Sequence, residues 1–200
     1  MSKRYTAGVV SSTSPTVNAA GASGVFTLNQ QSAAQSTNNW PPYKVEKSLR
    51  FRASGNGYLS KTFAAVGNRK IWTYSVWVKR GKIDSDLYFL LAANPSFGIR
   101  YENNLLLINL RGDSTNYFID FVNTYRDSSA WYHLVFACDT TQATSTNRFK
   151  AYVNGVQLTT NSSYNSYPPQ NYDTGCNTAA AHYIGRNGFS DSYPFDGYMS

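Results

Sequence analysis

The residues able to do chemistry are few, and their spacing does not favour catalysis. Hydrolysis of a glycosidic bond needs two carboxyl groups facing each other across a cleft. Only two acids are Glu, Glu46 and Glu102. Glu46 stands at the start of the strand-rich region, and Glu102 precedes Asn103-Asn104 in a turn. Asp84, Asp86, Asp113, Asp127 and Asp139 fall at strand ends or turns, and Asp120 alone lies within a strand, without an evident partner. A nucleophile–histidine pair needs an oriented imidazole. His133 sits between Tyr132 and Leu134, the setting of a hydrogen-bonded strand residue, and His182 has no acid or cysteine beside it. Ca²⁺ needs about six to eight oxygen ligands from loops that meet in space. Asp84-Ser85-Asp86 and Asp191 with Asp196 could contribute, but turn formation is the simpler role, so no cofactor is expected. Cys138 and Cys176 make no metal pattern. They read as free thiols in a reducing compartment, or as one disulfide in a protein displayed outside the cell. The chain is not expected to be an enzyme.

Binding chemistry is better represented. Sugar recognition uses stackable aromatics beside planar hydrogen-bonding groups. Aromatics make up 16% of the chain, with 16 Tyr. The long loop Asn161 to Ala181 holds Tyr164, Tyr167 and Tyr172 around Pro168-Pro169, and Tyr193 follows. These four tyrosines are the ligand or interface candidates, since the same composition also suits a protein–protein contact. Arg111-Gly112-Asp113 is a turn signal after a strand. Asn161-Ser162-Ser163 is a glycosylation sequon, but no secretory signal accompanies it.

The elements that must hold these residues are strands. Charged residues are only 14% of the 200, which argues against a helical bundle or coiled coil. From Val45 the chain reads as ten or eleven short strands between turns. Ser48 to Ala53 and Tyr58 to Phe63 flank Gly55-Asn56-Gly57, a hairpin signal. Ile71 to Arg80 alternates, with Trp72, Tyr74, Val76 and Val78 on one face. Leu87 to Ala92 and Phe97 to Tyr101 follow, then Leu105 to Arg111 and Tyr117 to Val122. Trp131 to Asp139 is apolar on both faces, which predicts a central strand. Phe149 to Val153 meets Val156 to Thr160 across Asn154-Gly155, a strong two-residue hairpin turn. Tyr183 to Arg186 and Phe195 to Met199 complete the set. The spacing predicts an all-β fold, a two-sheet antiparallel jelly-roll sandwich over residues 45–200.

Residues 1–44 differ. They contain no acid, and only Lys3, Arg4 and Lys44 are charged. Such a segment cannot bury enough apolar area to fold alone. Tyr5, Phe26, Leu28 and Trp40 are spaced anchors that suggest an extended arm ordered by a partner, with one short helix within Phe26 to Gln35. The net charge of +7 forms no stripe or motif, so nucleic acid is not expected as a partner. No stretch reaches the ~20 apolar residues of a membrane helix, so no membrane insertion is expected.

The order of motifs resembles a known family. Ser48-Leu49-Arg50-Phe51 with Gly57-Tyr58-Leu59 resembles the opening strands of concanavalin A-like, laminin-G-type jelly rolls. Ile71-Trp72-Thr73-Tyr74-Ser75-Val76-Trp77-Val78-Lys79-Arg80 is similar to that family's strand with a central Trp. Trp131-Tyr132-His133-Leu134-Val135, the hairpin Lys150 to Val156, Ile184-Gly185-Arg186 and Phe195 to Ser200 resemble its later strands. The resemblance implies a sandwich that hosts lectins, glucanases and adhesion modules, so it implies fold more than function. The glucanase members carry Glu-x-Asp-x-x-Glu on one strand, a motif missing from this sequence. The family's closing strand runs past the point where this chain stops, so continuation of the natural protein beyond Ser200 is expected, with completion by another chain as the alternative.

The leader Ser2-Lys3-Arg4-Tyr5, then Ser23 to Leu28 and Trp40-Pro41, resembles the start of appendage proteins of tailed bacteriophages. That resemblance implies a virion structural protein: a fibre, a tail component or a capsid decoration. Its partners would be other virion subunits reached through the arm and further copies of itself, with host-surface glycan for the sandwich. Its location would be the virion, assembled in the host cytoplasm. A stand-alone lectin or adhesin is the alternative.

Overall fold

The computed structural model describes residues 47–83, 87–93, 97–160, 165–188 and 192–200, together with Ala33, Thr37 and the backbone pairing of four short strands before residue 47. Chain contacts divide the molecule into Met1–Glu46 and Lys47–Ser200. In the first unit β1 (Tyr5–Thr6) pairs with β2 (Val9–Val10), and β3 (Thr16–Asn18) with β4 (Gly21–Ser23), both antiparallel. The side chain of Tyr5 and the residues Phe26, Leu28 and Trp40 lie outside the described residues, as does most of the expected helix within 26–35.

The second unit is an all-β sandwich, with twelve strands among the described residues in two antiparallel sheets. Its strands are β5 (Leu49–Phe51), β6 (Leu59–Thr62), β7 (Ile71–Arg80), β8 (Tyr88–Ala93), β9 (Phe97–Glu102), β10 (Leu105–Asn109), β11 (Phe118–Thr124), β12 (Tyr132–Asp139), β13 (Phe149–Val153), β14 (Val156–Gln157), β15 (Ala181–Ile184) and β16 (Gly197–Met199). One sheet, called here the β7 sheet, runs β14-β13-β12-β7-β16-β5. The other, the β8 sheet, runs β11-β10-β9-β8-β15-β6.

Alternation builds the core. Along β7, Trp72, Val76 and Val78 are buried while Ile71, Thr73 and Ser75 are exposed, as a period of two requires. Leu134, Phe136 and Cys138 of β12 and Phe149, Ala151 and Val153 of β13 extend that buried face. From the β8 sheet come Phe97, Ile99, Tyr101, Leu106, Ile108, Ile119 and Phe121. Trp72 meets Phe97 edge-to-face at 5.5 Å, joining the two sheets. β12 is central, as expected, between β7 and β13. The β13–β14 turn also matches expectation, with Asn154 at φ 51° and Gly155 at φ 81°, both in the left-handed region that a two-residue turn of this type uses.

The expected hairpin at Gly55-Asn56-Gly57 is not formed. β5 and β6 lie at the edges of different sheets. A 3-10 turn at Ala53–Gly55 ends on Asn56 at φ 46°, and the Arg52 carbonyl accepts from both Gly55 and Gly57 N–H. That turn carries the chain from one sheet to the other, because Phe51 faces the core from the β7 sheet while Leu59 pairs with Ile184 in the β8 sheet. Several strands are shorter than expected, notably β14, which stops at Gln157.

The long loop before β15 is a strap. Among the described residues 165–180 there is no strand or helix, yet Thr174 is fully buried and its hydroxyl donates to the Arg69 carbonyl at 2.6 Å and accepts from Trp72 Nε1 at 2.9 Å. Arg69 in turn donates to the carbonyls of Thr174, Gly112 and Asp173. The carbonyls of Thr174, Asp173, Gly112 and Arg69 are thereby satisfied where the loop crosses the sandwich.

Candidate functional site

The described candidate tyrosines stand in three separate places, and Tyr164 lies outside the described residues. Tyr167 packs against the core beside Phe121 and Phe149, at a shallow polar hollow of about 340 Å³. The Tyr172 hydroxyl accepts from Gly112 N–H at 2.7 Å and Asp113 N–H at 3.2 Å, and donates to Asp113 Oδ1 at 3.0 Å. Its ring meets Tyr117 edge-to-face at 4.8 Å. An engaged hydroxyl of this kind has little left for a ligand. Burial holds that phenol above its ordinary pKa. Tyr193 is 48% exposed, at φ 60°, and its carbonyl accepts from Phe89 N–H.

The Arg111-Gly112-Asp113 turn is part of the same latch. A Cβ on Gly112 would stand 1.8 Å from the Asp173 carbonyl oxygen, so the two loops pack backbone to backbone. Asp113 accepts from Thr115 N–H and from Tyr172, and these bonds hold its carboxyl below the usual range, Thr115 contributing most.

Among the described residues the acids do not assemble a cleft. Glu102 pairs with Arg100 at 2.8 Å. Asp120 opposes Leu107, which opposes Arg100, placing Asp120 and Glu102 on one face of the β8 sheet two strands apart. Strand spacing and the two-residue offset put their backbones about 12 Å apart. Asp196 is committed to Arg50 at 2.7 Å and to Ala53 N–H at 3.2 Å. Among the described residues no group of three His, Cys, Asp or Glu could hold a metal ion, and Asp84, Asp86, Asp191 and Glu46 lie outside them. His133 Nε2 shares a hydrogen bond with Ser75 Oγ at 2.9 Å, with no carboxylate. His182 accepts from Asn177 N–H on Nε2, so its proton sits on Nδ1, donated to the Ala180 carbonyl. Burial lowers its pKa. Cys138 and Cys176 are buried free thiols. Burial pushes both up, Cys176 to about 12, which makes them poor nucleophiles.

The aromatic surface that does assemble is the outer face of the β7 sheet. Cross-strand partners share a face, and the register sets His133 opposite Trp77 and Tyr198 opposite both Lys79 and Arg50. Trp77 stacks on His133 at 4.9 Å with 20° between planes. Trp131 lies 6.3 Å from Tyr198, and the Arg50 guanidinium covers Tyr198 at 5.0 Å. Tyr152 faces the same way beside Val135. Arg50 is fixed by hydrogen bonds to the Phe51 and Gly197 carbonyls and by Asp196. Asn154 Oδ1 accepts from His133 N–H at the far edge. The result is a row of half-buried rings, with Tyr198 38% exposed, flanked by Arg50, Lys79 and Asn154. The alternation of β7 marks Trp72, Val76 and Val78 for the core and leaves Trp77 on the outer face. The signal for Trp77 was there in the alternation, but the register that joins it to His133 was not.

This geometry sits in a sandwich whose sequence, over residues 53–200, matches the family model of the concanavalin A-like lectin/glucanases superfamily. The chain belongs to that superfamily. Among solved structures, this superfamily member is similar to a candidate carbohydrate-binding protein from Bacteroides ovatus (TM-score 0.54, 20% identity, 90% of this chain and 48% of that one). It is also similar to domain 4 of an extracellular GH43 arabinanase from Geobacillus stearothermophilus, solved with arabinotriose (TM-score 0.48, 22% identity, 70% and 62%). Domains LG4-5 of the mouse laminin alpha1 chain align with a TM-score of 0.48 at 13% identity, covering 76% of this chain and 38% of that one. The chain thus spans less than two thirds of each of these structures. No curated protein sequence matches it.

Proposed function

We propose that the superfamily domain is a non-catalytic recognition module that holds a glycan on the outer face of the β7 sheet. The observation that carries this reading is the platform of Trp77–His133 and Trp131–Tyr198 beneath a pinned Arg50. Flat rings take the C–H faces of a sugar, and a fixed guanidinium with nearby amide and ammonium groups meets its hydroxyls. The lectin-type superfamily and the shared fold of the Bacteroides ovatus protein support it. A hydrolytic role has less support, since among the described residues Glu102 and Asp196 are held in ion pairs and Asp120 lies about 12 Å from Glu102. A glycan array tests the proposal: saturable binding is expected, weakened about tenfold by Tyr198→Ala or Trp131→Ala. Absence of binding across the array defeats it.

The leader sequence favours a more specific setting. We infer a virion component of a tailed bacteriophage, anchored to neighbouring subunits through residues 1–44, forming homo-oligomers and presenting the sandwich to host-surface glycan. The acid-free arm supports anchoring, since all three of its charges are positive. Particles assembled with a chain lacking residues 1–44 should exclude it while the sandwich stays folded. Normal incorporation of that deletion refutes the anchoring role.

A further inference from the structure

We propose that the outer face of the β7 sheet binds an internal stretch of a neutral, linear polysaccharide, running from the tryptophan platform to a second subsite over Ala137 formed by Asn147 and Lys150. This rests on the glycan reading and adds the length and charge of the ligand.

Register builds the second subsite. Outward residues stand in rows across β7, β12 and β13. Trp77 and His133 share the row of the platform. Ser75, Val135 and Tyr152 make the next row, and Thr73, Ala137 and Lys150 the one after. Ala137 is the small member of its row. A hollow of about 410 Å³ opens over it, bordered by Thr73, Asp139, Gln142, Asn147 and Lys150. Four residues of β7 separate the Trp77 row from the Thr73 row, about 13 Å along the strand. That span is longer than a disaccharide. A strand continuing β16 past Ser200 would lie in the plane of the sheet, beside β7, and add to this face rather than cover it.

The border of the hollow is held still. Arg148 donates to the carbonyls of Gln142 and Ala143 at 2.8 Å and of Pro168 at 2.7 Å. The Gln170 amide and the Asn171 N–H donate to the Thr141 and Thr140 carbonyls. Asp139 accepts from Thr141 N–H, the Thr141 hydroxyl and the Gln142 amide. The Asn147 amide and the half-buried Lys150 ammonium, by contrast, make no side-chain hydrogen bond among the described residues. A stapled loop that presents uncommitted donors over a small residue is a preorganised subsite, because little entropy remains to be lost when a ligand arrives.

Charge selects the ligand. Each cation of this face has a carboxylate at hand. Arg50 pairs with Asp196 at 2.7 Å. Asp127, held below its ordinary pKa first by hydrogen bonds from Ser129, also feels Lys79. Lys150 shares its hollow with Asp139. A face balanced in this way gives a polyanion no net attraction. Hydroxyl groups, which both donate and accept, fit its mixed donors and acceptors.

The test titrates the full chain calorimetrically with neutral linear oligosaccharides, disaccharide to hexasaccharide, in gluco, manno, xylo, galacto and arabino series. In the series that binds, affinity should rise about tenfold from disaccharide to pentasaccharide and then level off. Lys150→Ala and Ala137→Gln, both changes on an open sheet face, should each remove about fivefold of that gain. Trp131→Ala should weaken every length. Oligogalacturonides and hyaluronan fragments should bind at least about tenfold more weakly than the best neutral series. A pentasaccharide no tighter than its disaccharide, or a gain indifferent to both variants, overturns the second subsite while the platform stands. Tighter binding of the acidic oligosaccharides overturns the neutral assignment. No binding in any series defeats the glycan reading itself and this proposal with it.

Discussion

Replacing Tyr172 by Phe separates a latch from a ligand contact. The change removes one oxygen and keeps the ring, so the edge-to-face contact with Tyr117 survives. The oxygen takes three hydrogen bonds with it. The Asp113 N–H and carboxylate face water, which replaces their lost partner. The Gly112 N–H is partly buried beneath the 173–174 backbone and is left unpaired. Leaving such a donor unsatisfied costs about 1–2 kcal/mol. For a domain of this size that lowers Tm by roughly 4 °C. Scanning calorimetry of the two proteins at pH 7 measures it, and glycan affinity measured below the transition should not change. The Asp113 carboxyl is held down in the fold, so its contribution is complete above its ordinary pKa and is lost as pH falls through the folded value. The variant should therefore lose less stability on acidification than the parent. An unchanged Tm together with lost glycan binding would refute the latch and return Tyr172 to the ligand site.

Three further outcomes follow from buried groups. Arg80 is 1% exposed and donates to the Tyr125 carbonyl at 2.7 Å and Asn104 Oδ1 at 3.0 Å, over the Tyr101 ring. Arg80→Met orphans both acceptors and should cost about 3 kcal/mol in urea denaturation. His182 is neutral in the fold with its pKa lowered by burial, so stability is complete above its ordinary value of 6.5 and falls as pH drops below it. The slope from this one group is at most about 1.4 kcal/mol per pH unit, and His182→Gln should flatten it. Cys138 and Cys176 should stay unreactive to a thiol-specific chromogenic disulfide until denaturant is added, because burial keeps both protonated.

The strands were legible wherever local pattern and tertiary need agree. β7 begins and ends at Ile71 and Arg80 as its alternation implies, and Asn154-Gly155 makes its turn because both residues adopt positive φ readily. The Gly55-Asn56-Gly57 signal misled for the same local reason: those residues permit a tight turn but do not say which strands it joins. Phe51 and Leu59 are divided between sheets by core packing, which is non-local. The strap at 165–180 carries its meaning in contacts with Arg69, Trp72 and Gly112, residues about 60 to 110 positions away, so its tyrosines read as ligand candidates. The platform was hidden in the same way. Trp77, His133 and Tyr198 are each visible in sequence, but only the order β12-β7-β16 makes them neighbours.

The central claim, that the outer face of the β7 sheet holds a glycan, is tested most directly by the indole N–H signals of the tryptophans in a ¹⁵N-labelled sample titrated with an oligosaccharide found on the array. Trp77 and Trp131 stand on the platform, whereas Trp72 is buried on the other face with its indole N–H on Thr174 Oγ1. The account predicts saturable shifts at Trp77 and Trp131 and a stationary Trp72. Bound oligosaccharide that leaves Trp77 and Trp131 unmoved would contradict it.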